Sequence, residues 1–146
     1  MKKYFLNILA LIFLSLAASA QKINEDKLPA ATKEAFSQKY PDILGKWEKE
    51  NGNYEVNFKK EGTTMSAVID AKGAILETET AISIKELPAG VESYIKSHYK
   101  GAAIKEAALI VKASGETMYE AEVNKKDILF DVNGKFIKEA NDQDGN

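Results

Sequence analysis

Asn51-Gly52-Asn53-Tyr54-Glu55-Val56-Asn57-Phe58-Lys59-Lys60-Glu61-Gly62 is the stretch from which the fold is read. Tyr54, Val56 and Phe58 alternate with Glu55, Asn57 and Lys59. That period-two pattern predicts a strand with one buried and one wet face. Asn51-Gly52 and Glu61-Gly62 bracket it with turn pairs that suit tight hairpins. Met65 to Ile69 and Ala74 to Ala81 supply two further strands around a turn at Asp70 to Gly73. The middle of the chain therefore reads as an antiparallel meander.

Working outward, the pattern repeats. Leu28-Pro29-Ala30 returns as Leu87-Pro88-Ala89, 59 residues later. Phe36 and Tyr40 match Ile95 and Tyr99 at the same offset. Tyr54-Glu55-Val56 matches Tyr119-Glu120-Ala121, and Asp70-x-x-Gly73 matches Asp131-x-x-Gly134. Each copy opens with a helix whose proline lies in the first turn, where a missing N–H costs nothing. Leu28, Ala31, Ala35, Phe36 and Tyr40 form one apolar stripe; Leu87, Val91, Tyr94, Ile95 and His98 form the other. Pro41 and Gly101 stop the two helices. In the second copy, strands are expected at Ala103 to Val111, Met118 to Asn124, Ile128 to Phe130 and Lys135 to Lys138. The expected fold class is α+β: two tandem units, each a helix plus a four-stranded antiparallel meander, at about 27–82 and 86–140.

The N-terminus reads as an export signal. Met1-Lys2-Lys3 is a short positive region, Ile8 to Leu16 is apolar, and Ala18-Ser19-Ala20 is a small-residue cleavage site. The apolar run is too short to span a bilayer, which takes about 20 residues. Residues 1–20 are expected to be cut off after Ala20, leaving 21–140 as one domain and 141–146 as a polar tail. The expected location is periplasmic or secreted, with no membrane association after cleavage.

Composition narrows the chemistry. The 146 residues are 45% hydrophobic and 29% charged, as in ordinary globular domains. There is no cysteine, which excludes disulfides, thiolate metal sites and cysteine nucleophiles. One histidine excludes a multi-histidine metal site. Every basic residue is lysine, and the net charge of −2 becomes −4 when Lys2 and Lys3 leave with the signal. An acidic chain without arginine is poorly suited to nucleic acid. No G-x-S-x-G, P-loop or H-E-x-x-H motif occurs, so no enzyme activity and no cofactor are expected.

Leu28-Pro29, Tyr40-Pro41, Trp47, Gly52-x-Tyr54-x-Val56-x-Phe58 and Asp70-x-x-Gly73 together resemble the PepSY-like, β-lactamase-inhibitor-protein-like family. The resemblance runs from Leu28 to Glu139. The second copy departs from the pattern: Glu106 or Ala107 stands where tryptophan is expected, and Ala121 and Val123 replace Val and Phe. The resemblance implies one curved sheet with both helices on one side. It also implies a binding or inhibitory role toward an extracytoplasmic protein partner, such as a peptidase, without catalysis.

Several residues are candidates for the site. Trp47 either closes the core or stands on the open sheet face as a binding anchor. The polar sheet face is expected to show Glu55, Asn57 and Lys59 from the first unit and Glu120, Glu122 and Asn124 from the second, with Glu106 near them. This face is the expected partner-binding surface. Asp142 and Asp144, in a D-x-D-G-N tail, resemble the start of a calcium loop, but the later ligands of such a loop are missing. Calcium binding is therefore the alternative function, and a polar tail the simpler reading. Asp70 and Asp131 read as turn-capping residues rather than a reacting carboxylate pair. His98 reads as a core or boundary histidine.

Overall fold

The computed structural model describes residues 21–140. Nine strands follow in chain order: β1 Gln21–Ile23, β2 Gly45–Glu50, β3 Asn53–Lys60, β4 Thr63–Ile69, β5 Ile75–Ile82, β6 Ile104–Lys112, β7 Thr117–Val123, β8 Lys126–Phe130 and β9 Phe136–Ala140. They form a single antiparallel sheet in which each strand pairs with its neighbours in sequence. Two ten-residue helices, α1 Ala30–Lys39 and α2 Ala89–His98, interrupt this meander before β2 and before β6. A 3-10 turn precedes each, at Glu25–Lys27 and at Ile84–Glu86.

This architecture corrects the expected fold class. The chain is predominantly β, and it is not an α+β fold of two four-stranded units. The physical reason is continuity of hydrogen bonding. β5 and β6 pair along six positions, from Glu77 with Lys112 to Ile82 with Ala107, so the sheet does not break between the copies. β1 adds a ninth strand by pairing Gln21, Lys22 and Ile23 with Lys49, Glu48 and Trp47. β1 leads into the first 3-10 turn just as the end of β5 leads into the second. Three polar-leaning residues carry no periodicity to read, which hides β1 in the sequence.

The turns show why the meander is tight. Asn51-Gly52 and Glu61-Gly62 are two-residue loops with both residues at positive φ, the hairpin geometry that matches strand twist. Asn124-Lys125 adopts the same conformation without glycine. At Asp70-x-x-Gly73, the Asp70 Oδ1 accepts from the N–H groups of Lys72 and Ala74, at 2.9 and 2.8 Å. Asp131 Oδ1 accepts from Asn133 and Lys135, at 2.8 and 2.9 Å. Both aspartates therefore cap their own turns, as side chains of this type do. Each turn also rests on the start of a helix. A Cβ on Gly73 would lie 2.7 Å from the Ala31 carbonyl oxygen, and one on Gly134 would lie 3.0 Å from Pro88. Thr32 adds a hydrogen bond from its hydroxyl to the Asp70 carbonyl at 2.8 Å.

Both helices pack on the same face of the sheet. Under α1, Leu28, Phe36 and Tyr40 meet Trp47, Tyr54, Val56, Phe58, Ala67 and Ile69. Phe36 stands edge-on to Trp47 and to Phe58, with ring centroids 5.3 and 5.2 Å apart. Under α2, Leu87, Val91 and Ile95 meet Ala107, Ala121, Val123, Ile128 and Phe130. Each helix thus has its own apolar cluster, and the backbone of β5 and β6 joins the two.

Candidate functional site

Strand register assigns every side chain of the other face, because the period of a strand is two. Across β2 to β7, one row runs Lys46, Asn57, Ser66, Glu79, Ile110, Met118. A flanking row runs Glu48, Glu55, Val68, Glu77, Lys112. On the other side lie Ala81, Ala108, Glu120, Leu129 and Lys138, then Glu106, Glu122 and Asp127. Among the described residues no helix covers this face. It is strongly acidic, and the acids converge on β5, the fifth of nine strands.

The floor of this face is unusual. Glu79 is 1% exposed and Glu55 7%, and Ser66 is fully buried. Glu55 Oε1, Asn57 Oδ1, Ser66 Oγ and Glu79 Oε1 have no hydrogen-bond partner. Buried polar atoms are nearly always paired, and these four, with Glu50 Oε1 on β2, gather on one face of four adjacent strands. Beside them Ile110, Met118 and Leu129 form a small buried apolar cluster. The face is therefore half oxygen-lined and half apolar at its centre.

Burial and like charge both oppose ionisation here. Burial, then Glu48, push the Glu55 carboxyl up to about 7, against a hydrogen bond from Asn57 that lowers it. Burial, then Asp127, Glu77, Glu122 and Glu106, push Glu120 up to about 8. Glu79 is raised well above the ordinary carboxylate range, by burial first and then by Glu120, Glu55, Glu77 and Asp127. Glu50, Glu77 and Glu106 are raised as well, burial being the largest cause in each.

Glu55, Asn57, Lys59, Glu120 and Glu122 occupy one face, drawn together by the register. Glu55 is buried, Asn57, Glu120 and Glu122 are half-buried, and Lys59 is exposed. Trp47 lies on the opposite face, 6% exposed beneath α1. Asn57 and Lys59 also line a groove of about 600 Å³ at the β2–β3 end, and Leu44, 89% exposed, stands at its lip. Asp142 and Asp144 lie outside the described residues, as does the signal sequence, residues 1–20. His98 is exposed, not a core residue. It stacks on Tyr94 at 3.9 Å between ring centroids, and its Nδ1 lies 2.9 Å from the Tyr94 carbonyl oxygen. Glu48, Glu50, Glu77, Glu79 and Asp127 also belong to the acidic face but escape sequence reasoning. Their alternation is visible in Glu77-Thr78-Glu79-Thr80, yet only pairing reveals which face they share. Among the described residues no group of three or more acidic or histidine side chains is placed to hold a metal ion. No helix there is long and apolar enough to cross a membrane.

Comparison with known proteins agrees with this fold. A family described as "Putative beta-lactamase-inhibitor-like, PepSY-like" matches residues 15–77 and 52–138. No curated protein matches the chain. A solved structure of a putative periplasmic protein from Bacteroides eggerthii superposes with a TM-score of 0.68 at 16% identity, covering 77% of this chain and 87% of that one. A DUF2874 family protein from Bacteroides ovatus gives 0.68 at 20% identity, over 82% and 91%. A BLIP-like protein from Bacteroides fragilis gives 0.61 at 24% identity, over 80% and 89%. At these identities the likeness is one of fold.

Proposed function

The chain belongs to the PepSY-like family, and from that premise we propose that it is an exported binding module that restrains or regulates an extracytoplasmic enzyme, such as a peptidase, by docking its helix-free sheet face on it. The observation that carries this reading is the face itself. Nine strands present one side without a covering helix among the described residues, and carboxylates dominate it. Charge concentrated on one surface steers association and selects partners of opposite sign.

The leader at residues 1–20 supports export, and the periplasmic description of a fold relative fits the same compartment. Gln21, the residue a cut after Ala20 would leave first, pairs with Lys49 and so already belongs to the sheet. The module acts by binding rather than by catalysis in this reading.

The test is capture of a partner from envelope extract by the wild-type protein and by two charge-reversed variants. Glu120→Lys with Glu122→Lys alters the sheet face; Glu92→Lys alters the exposed surface of α2. A stoichiometric partner held by wild type and Glu92→Lys, and lost at least about tenfold by the sheet-face variant, is the expected result. Equal capture by all three would move the docking surface elsewhere. Recovery of no partner would remove the binding function.

A further inference from the structure

We propose that the centre of the helix-free face is an arginine-recognition site: a partner's arginine places its guanidinium among Glu55, Asn57, Ser66 and Glu79, with its methylene stem along Ile110, Met118 and Leu129. This rests on the docking function proposed above and names the chemistry of the partner.

The argument begins with the orphaned atoms. Glu55 Oε1, Asn57 Oδ1 and Glu79 Oε1 are acceptors, and all lack a donor. Register sets them on neighbouring strands: Asn57 opposite Ser66, Ser66 opposite Glu79, and Glu55 two residues from Asn57 on β3. Neighbouring strands lie about 4.8 Å apart, so the acceptors spread over a patch rather than converging on one point. A planar group with five N–H donors suits such a spread set, and it also supplies the missing positive charge. Water would satisfy an acceptor, but it would not offset the charge of Glu55 or Glu79 once they ionise. A metal ion needs ligands at one common short distance, and among the described residues no group of three or more acids provides that.

The apolar half supplies the second element of recognition. Glu79 is opposite Ile110, Ile110 is opposite Met118, and Leu129 is opposite Glu120. Arginine, like lysine, has a cationic head on an apolar stem that packs along apolar surface, and its planar five-donor head is what suits the spread acceptors. This chain has no arginine of its own, so the donor comes from another molecule.

Charge balance sets how binding depends on pH. The groups that face Glu79 are Glu55 from β3, Glu77 from β5 itself, Glu120 from β7 and Asp127 from β8. β4 presents Ser66 and Val68 there, and β6 presents Ile110 and Lys112, whose ammonium is paired with Glu116 at 3.0 Å and whose charge favours ionised Glu77. Lys46 on β2 and Lys138 on β9 stand further along the same rows, and the charges that act on Glu79 are all acidic, so burial and like charge favour its neutral form and an incoming guanidinium favours the charged one. Binding therefore tightens as the pH rises.

An NMR titration with a blocked five-residue peptide carrying a central arginine tests this. The comparison peptide has citrulline, which is isosteric and uncharged. At about pH 8.5 the arginine peptide is expected to shift amides of β3 to β7 and to bind at least about tenfold tighter than the citrulline peptide and than at pH 6. Glu79→Gln is expected to lose about tenfold while melting no lower than wild type. Equal binding of the two peptides, no binding, or unchanged binding by Glu79→Gln would overturn the inference. So would calcium chloride alone shifting the same amides and displacing the peptide. If Glu79→Gln does not fold, the citrulline comparison on the wild-type chain decides. Partner capture by the sheet face without arginine discrimination removes this inference and keeps the docking function. Failure to capture any partner removes the function independently of the peptide result.

Discussion

Gly73 shows how a single residue ties motif to packing. It holds φ +86° and its missing Cβ leaves room for the Ala31 carbonyl. Gly62 holds a similar φ, +83°, with nothing within 4 Å of a Cβ. The two separate conformational strain from steric clash. Gly62→Ala should cost about 1–2 kcal/mol, the penalty for left-handed backbone alone. Gly73→Ala should cost more, about 3 kcal/mol, because the Ala31 backbone cannot rotate away. Urea denaturation of both variants checks this, and equal losses would show that the turn and helix are not in firm contact. Asp70 belongs to the same device: with Lys72 and Ala74 donating to Oδ1, it shapes the turn. The repetition of D-x-x-G was legible as a turn; its role as the rest on which each helix starts was not, because that contact spans about forty residues.

β5 carries the consequence of placing acids in a central strand. Its Glu79 is held above the ordinary carboxylate range, as are Glu55, up to about 7, and Glu120, up to about 8. For such groups the folded chain binds more protons than the unfolded one, so the sign of the linkage is fixed. The stability they permit is full below the ordinary value of 4.5 and is lost as the pH rises through the folded values, near 7 to 8. The melting temperature should therefore fall between about pH 5 and pH 9, with a slope of up to about 1.4 kcal/mol per pH unit for each group. Glu79→Gln should flatten this decline and melt several degrees above wild type at about pH 9. A melting curve independent of pH would mean that these carboxylates reach water. The strand itself was legible from the Glu-Thr alternation, whereas the burial of Glu79 depends on five neighbouring strands.

The described residues form one sheet with an apolar cluster under each helix, and this bears on whether either half stands alone. Repeat one has its own cluster under α1, repeat two its own under α2. Cutting after Ile82 would bare the edge of β5 along the six positions that pair with β6. An uncovered edge of that length invites pairing with another chain. A fragment of residues 21–82 is expected to self-associate on size exclusion, and to become a folded heterodimer when mixed with 83–140. The single tryptophan, Trp47, reports burial in the first half. A monomeric, cooperatively melting 21–82 fragment would show that the copies fold independently and that β5–β6 pairing is incidental.

The amino-acid sequence by itself determined the local elements: the helices after Leu28-Pro29 and Leu87-Pro88, the strand from Tyr54 to Phe58, the turns at Asn51-Gly52 and Glu61-Gly62, and the kinship between the two copies. These follow from periodicity and turn chemistry, which act over a few residues. Tertiary structure decided that the copies share one nine-stranded sheet, that Gln21–Ile23 joins it, that Trp47 lies beneath α1, and that Glu55, Ser66 and Glu79 meet on the opposite face. Each of those depends on register, and register is set by hydrogen bonds between strands distant in sequence. A shift of one residue would move every side chain of a strand to the other face.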